Sequence, residues 1–301
     1  MDKLVEREPA ARSPLVAAPA LAVQFFLIPL VVVGITVLVY VGFRSLIADD
    51  RSAQDYLMEI RTGGLNRRWP AAYELSRQMA DPKVRADRSL APALEAAYDE
   101  AEHDPKVRQY LALALGRLDP PLSSRAVASL TKALDDADGE ARLTAIWALG
   151  SSGDAAVAQR LRPLYESQDA GIRKMVVYAL GALPGDAQVQ TLRAALEDAT
   201  ADVRWNAAIA LARHDKADGL PVIRQMLDRA HVEGTVTREV SASGDIDPVA
   251  DVMIGGVRAA AALRDVSLKG TLEGLSREDR SLKVRQAALD ALKQMEASAS
   301  N

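Results

Sequence analysis

Asp169-Ala-Gly-Ile-Arg173-Lys-Met-Val-Val-Tyr-Ala-Leu180-Gly181 is the stretch from which the rest of the chain can be read. Near-copies begin at Asp104, Asp138, Thr200 and Ser281. In each, a residue suited to helix capping is followed four positions on by Arg and seven positions later by Leu. The Arg of successive copies falls at 108, 142, 173 and 204, spacings of 34, 31 and 31. Periods of that size are the signature of stacked helical hairpins.

One copy explains its own pattern. Asp104, Asp138, Asp169, Thr200 and Ser281 can each accept a hydrogen bond from an orphan first-turn N–H. Val107, Leu111, Ala114 and Leu115 share a face at helical spacing, as do Ile172, Val176, Ala179 and Leu180. Gly116, Gly150 and Gly181 follow the Leu, where a left-handed C-terminal cap favours glycine. A second apolar helix precedes each copy, for example 126–134 and 187–196. The unit is a two-helix hairpin that cannot bury its apolar side alone, whereas a stack can. Arg68-Trp-Pro-Ala-Ala-Tyr-Glu-Leu75 is a degenerate earlier copy, and Arg285 to Leu292 is the last. The expected class is all-α, an α-α superhelix of about six hairpins over residues 65–296.

The pattern of a paired helix followed by Asp-x-x-Val-Arg-x-x-Ala-x-x-Ala-Leu-Gly resembles the HEAT repeat, closest to the short bacterial kind first recognised in phycobilisome lyases. The resemblance covers most of residues 65–296 and is specific to architecture. It implies Asp–Arg ladders between repeats, so Arg108, Arg142, Arg173, Arg204 and Arg285 are expected as structural bridges rather than anion clamps. The whole layout also resembles bacterial membrane-anchored HEAT-repeat proteins, which implies the bacterial inner (cytoplasmic) membrane.

Ahead of the repeats, 1–19 reads as a disordered tail of mixed charge. Residues 20–43 carry no charge, and none occurs between Arg12 and Arg44. About twenty apolar residues suffice to cross a bilayer as helix. The expectation is a single transmembrane helix at 20–43 in contact with the lipid bilayer, kinked at Pro29. Lys and Arg flanking it are nearly balanced, with a slight C-terminal excess that leans towards a cytoplasmic domain and leaves the periplasmic side open. A juxtamembrane linker, 44–64, contains a short amphipathic helix at 52–60; a membrane-surface helix and a packed cap for the repeats both fit it. Residues 297–301 read as a disordered end.

The repeat lapses between Met226 and Gly256. Arg204 to Arg285 is 81 residues, so one enlarged repeat lies between them. Aligned on Leu263, it has Gly256 at the Arg position. The preceding 228–252 reads as a loop inserted between the two helices, with a small hairpin near Val232–Val240. Insertions in solenoids collect on one face, often the binding face. His231, Arg238, Asp245 and Asp247 are its partner-contact candidates; a passive loop is the other reading.

Chemistry is sparse. There are no cysteines, and the net charge of −4 disfavours nucleic acid. His103, His214 and His231 are scattered without a metal-ligand partner. Resemblance to HEAT-like deoxyhypusine hydroxylases would require repeated His-Glu pairs for iron, and the chain has no His-Glu dipeptide. The acidic turns Asp135, Asp136, Asp138 and Asp245, Asp247 do not match a calcium loop. Trp69, Trp147 and Trp205 fall within the second helices, where packing is the first reading and recognition the second. No catalytic, cofactor or metal site is expected. The functional expectation is a non-enzymatic scaffold binding protein partners, as an accessory or assembly subunit of a membrane complex. The alternative is a lyase-like or chaperone-like accessory acting on a cofactor or modified protein.

Overall fold

The computed structural model describes residues 28–47, 51–236 and 247–299, and the chain divides into two units, 1–52 and 53–301. The expected tail at 1–19 lies outside the described residues, and of the expected tail at 297–301 only 300–301 do, since 297–299 continue the last helix.

Among the described residues of the first unit a helix, α1, runs Ile28–Ile47, and Pro29, the expected kink, is its second described residue. The described side chains are exposed, Leu30 and Leu38 among them. Residues 20–27 of the expected span lie outside the described residues. Among the described residues no helix is long and apolar enough to cross a membrane. This overturns the assignment of the chain to the bacterial inner membrane and leaves the span at 20–43 and its bilayer contact without support.

The second unit is a stack of helical hairpins. Its first helices are α2 (Ala53–Thr62), α4 (Leu90–Glu100), α6 (Ser124–Lys132), α8 (Ala158–Leu161), α10 (Val189–Ala194), α12 (Leu220–Leu227) and α15 (Lys269–Glu278). Its second helices are α3 (Leu65–Gln78), α5 (Pro105–Gly116), α7 (Gly139–Gly150), α9 (Ala170–Ala182), α11 (Ala201–Arg213), α14 (Pro248–Leu263) and α16 (Leu282–Ala299). Each second helix packs on the next, forming one continuous row. Seven hairpins stand among the described residues, one more than expected. The extra first helix is α2, which buries Ala53, Tyr56, Leu57 and Ile60 against the stack and so serves as its cap.

The caps and the core explain the repeat. Asp138 Oδ1 accepts from Ala141 N at 2.9 Å, Asp169 Oδ1 from Gly171 N at 2.7 Å, and Asp104 Oδ1 from Val107 N at 3.3 Å. Thr200 makes no such side-chain bond, and none is formed by Ser281. Those two are held instead by the Asp two positions earlier, whose carboxylate accepts the backbone N–H of Thr200 or Ser281. Leu115, Leu149, Leu180 and Leu211 are fully buried between the helix rows. Burying a Leu side chain contributes roughly 1.5–3 kcal/mol relative to leaving it exposed.

The glycines after those leucines have a different role from the one expected. None of Gly116, Gly150 and Gly181 adopts a positive φ; only Gly153 and Gly185 do among the described glycines. All three remain inside their helices, against an alanine of the next second helix. A Cβ on Gly150 would lie 2.7 Å from Ala179 Cβ, and one on Gly116 would lie 2.9 Å from Ala148 Cβ. Gly181 meets Ala210 in the same way. Small residues thus set how closely consecutive helices approach.

The enlarged repeat is helical where a hairpin was expected. Residues Arg229–Thr235 form α13, capped by Asp228, and Val232 is fully buried. Strands are absent from the described residues, and 237–246 lie outside them. Val232 joins Val249, Met253 and Val284 in a separate apolar cluster, so α13 covers the joint between α14 and α16. Gly256 does not stand in for an Arg: a Cβ there would come 2.8 Å from Met226 Cβ, so it lets α14 pack on α12.

Candidate functional site

Two arrangements recur along the second-helix row, one made of ion pairs and one of apolar side chains. The ion pairs join consecutive repeats. Arg108 Nε and Nη2 donate to Asp136 at 2.8 and 2.9 Å. Arg173 does the same to Asp198 at 2.8 and 3.0 Å. The carboxylate stands two positions before the next helix cap, in the turn that ends the intervening first helix. The third guanidinium nitrogen, Nη1, donates to carbonyls of the Arg's own preceding turn: Ser167 and Gln168 for Arg173, Ala101 and Glu102 for Arg108. One side chain therefore closes its own turn and grips the next. Arg68, in the degenerate first copy, bonds the Ile60 carbonyl and lies 4.0 Å from Asp104.

These carboxylates are buried, and their titration shows it. Hydrogen bonds from Arg173 hold Asp198 down at about 2, against the burial that would raise it; Thr200 N and the Tyr165 hydroxyl add to the effect. Burial and the Asp198 charge push Tyr165 up to about 12. Burial opposes ionisation of Asp136 and Asp279, but their arginine partners and a backbone N–H outweigh it, and both are lowered.

The ladder is incomplete. Arg142 has Ser167 where its neighbours have Asp; its Nη1 bonds the Asp136 carbonyl, while its buried Nε has no partner. Arg204 bonds the carbonyls of Asp198 and Ala199 but no carboxylate among the described residues. Arg285 makes no side-chain bond there. The bridge to the last hairpin comes instead from Arg229 of α13, bidentate to Asp279 at 2.9 and 2.6 Å. Sequence reading passed over Arg229 because it lies outside the repeat register; the signal was the Asp279-Arg280-Ser281 turn left without its repeat Arg.

The apolar arrangement is a groove. Five positions after Arg68, Arg108, Arg142, Arg173 and Arg204 stand Tyr73, Leu113, Trp147, Tyr178 and Ile209, a stripe that the sequence showed only at Trp147. All are exposed or half-buried. The stripe ends at Gly255, whose missing side chain leaves a cavity of about 360 Å³ walled by Trp147, Tyr178, Trp205, Ile209, Met226 and Val252. A Cβ on Gly255 would lie 3.1 Å from Ile209 Cδ1. A second hollow of about 320 Å³ continues from it past Tyr178, Ile209 and Gly255 to Arg213 and Arg258. Trp205 is 5% exposed and supports the floor; Tyr178 is 37% exposed, with the Arg213 guanidinium 5.7 Å from its ring centre. Lys174 and Asp202 pair across the rim at 3.2 Å. Each hollow is at the small end of ligand pockets, roughly 300–1,000 Å³.

The insertion candidates do not converge. His231 is exposed on α13, with its backbone N–H bonded to Asp228. Asp247 caps α14 through Ala250 N at 3.1 Å. Arg238 and Asp245 lie outside the described residues. His214 Nε2 is 3.2 Å from Gln188 Nε2 and packs between repeats.

Comparison with known proteins agrees with this architecture. A model of HEAT repeats matches residues 90–181 and 164–244. No curated protein matches the chain. Among solved structures, the complex of CpcE and CpcF of phycocyanin lyase from Nostoc sp. PCC7120 is similar at 17% identity, with a TM-score of 0.53 over 83% of this chain and 96% of that one. A designed armadillo repeat protein in complex with the peptide (KR)4 is similar at 18% identity over 81% of this chain and 100% of that one, with a TM-score of 0.42. Human deoxyhypusine hydroxylase is similar at 18% identity over 81% and 96%, with a TM-score of 0.34. At these identities the likeness is one of fold. The repeat model spans the chain from Leu90 to Gly244, and the helices it covers stack as its pattern requires: the chain belongs to the HEAT-repeat family.

Proposed function

We propose that the chain is a non-catalytic scaffold that docks a protein partner on the open face of its second-helix row, centred on the groove at Tyr178, Ile209 and Gly255. The observation that carries this reading is the cavity itself. It interrupts a row that is elsewhere packed tightly enough to exclude a methyl group. A hollow lined by aromatic and aliphatic side chains on an extended surface suits an anchor side chain from a partner. HEAT and armadillo-like stacks present such surfaces. The Arg–Asp ladder is structural in this reading, since its guanidinium groups are consumed by carboxylates and carbonyls of the chain. The lyase-like alternative gains no residue from the fold likeness.

A photo-crosslinking amino acid placed at Asn206, on the groove wall, should give a discrete protein adduct in the native cell. The same group at the exposed Arg160 should give none of that mass. Filling the hollow with Gly255→Leu should remove the adduct. Identical adducts from both positions, or none from Asn206, would refute the reading.

A further inference from the structure

The rim of the groove is ordered by charge. The acidic side chains Asp202 and Asp251 border the hollow at one end, and the basic side chains Arg213 and Arg258 border its continuation at the other. Tyr178 and Ile209 form the apolar floor between them. Asp251 and Arg258 belong to α14 and are exposed, and neither side chain makes a hydrogen bond or ion pair among the described residues. Seven residues of helix separate them, ~10 Å along the axis. On α11, Asp202 and Arg213 repeat the same order eleven residues apart, ~16 Å. The two helices thus carry the same polarity side by side. Asp202 is already paired with Lys174, but Asp251 and Arg258 are not, and unpaired charges of opposite sign at the two ends of an apolar hollow select an occupant of opposite polarity.

We infer that the groove takes an extended peptide segment in which a Lys or Arg and an Asp or Glu flank one or two large apolar side chains. The segment runs with its cation towards Asp202 and Asp251 and its anion towards Arg213 and Arg258. At ~3.3 Å per residue, the two separations place the charges three to five residues apart. The apolar side chain enters the space that Gly255 leaves. This inference rests on the docking role proposed above and adds the chemistry of the partner segment.

The test is selection from a random peptide display library on the full chain, followed by fluorescence polarisation of the enriched peptides. Peptides carrying a basic residue, a bulky apolar residue and an acidic residue at that spacing should be enriched. They should lose most of their binding to Gly255→Leu, and Tyr178→Ala provides a second groove variant should the first fail to fold. The double reversal Asp251→Arg with Arg258→Asp should weaken a selected peptide about tenfold and restore binding of its charge-reversed counterpart. Groove-dependent peptides without charge order, or peptides indifferent to the reversal, would overturn the inference and leave the docking role standing. Absence of any peptide that either groove variant weakens would overturn both.

Discussion

The regular hairpins from α5 to α11 and the enlarged one from α12 to α14 solve the same problem by different means. In the regular part, the Arg of a second helix reaches the Asp before the next cap, as Arg173 reaches Asp198. In the enlarged part no second-helix Arg is in place, and the inserted helix α13 supplies Arg229 to Asp279 instead. The geometry of the grip is conserved while its origin in the chain moves. A repeat can therefore lose its signature residue and keep its joint, provided that an insertion brings a guanidinium to the same carboxylate. The groove lies on the boundary between the two solutions.

The comparison is most sharply tested by removing the carboxylates. Asp198→Ala should destabilise its joint by about 3 kcal/mol, because it leaves the mostly buried Arg173 without its ion partner, and Asp279→Ala by about 2 kcal/mol, because Arg229 keeps only Glu233 at 3.5 Å. Native-state hydrogen exchange of α16 and α11 reads the two losses separately. If Asp279→Ala costs less than a third of Asp198→Ala, α13 is not a substitute for the regular Arg.

Acid should expose the same links with a somewhat smaller effect. Asp198 has a folded value of about 2 against an ordinary 3.8, so its contribution is fully present above pH ~4 and disappears as pH falls towards 2. The size is about 2 kcal/mol for that residue. Asp136 and Asp279 are depressed in the same direction and add to it. Denaturant titration at pH 5 and pH 3 should show the loss, and Asp198→Asn should flatten the portion due to that residue. An unchanged slope with pH in the variant would show that the pair does not carry the linkage.

The smallest effect is expected where the regular ladder is broken. Ser167→Asp would place a carboxylate opposite the partnerless Nε of Arg142. The expected gain is about 1 kcal/mol, from a hydrogen-bonded ion pair at a position that already holds the cation. The gain should vanish in an Arg142→Ala background, measured as a double-mutant cycle by chemical denaturation. A gain that survives the loss of Arg142 would mean that the turn, not the ladder, was improved.

Much of this architecture was legible because the repeat states it in local terms. Asp138 and Asp169 cap their helices, and Leu149 and Leu180 fill the core, as spacing alone requires. Thr200 and Ser281 misled because residue type alone does not decide a cap: an Asp two positions earlier takes the N–H of each, as Asp136 takes that of Asp138, yet only Asp138 caps. Gly116, Gly150 and Gly181 suggested helix ends, but their reason is a contact with another helix, which no single segment can reveal. The groove was illegible for a related cause. Tyr178 and Ile209 read as ordinary apolar positions, and Gly255 becomes informative only when the helices carrying them are adjacent. The membrane assignment rested on hydropathy alone, and among the described residues no helix is long and apolar enough to cross a membrane.

The glycine–alanine contacts have a mechanical consequence. The joints α5–α7 and α9–α11 are fastened near one end by an Arg–Asp pair and near the other by a glycine lodged against an alanine. The joint α7–α9 keeps only the glycine, Gly150. Between α11 and α14 both fastenings are gone: Ala212 replaces the glycine, and Arg204 has no carboxylate to hold. A column of coils clamped everywhere but at one seam bends at that seam. Whatever wedges into the groove sits there, so occupancy would set the angle at which the last two hairpins leave the column.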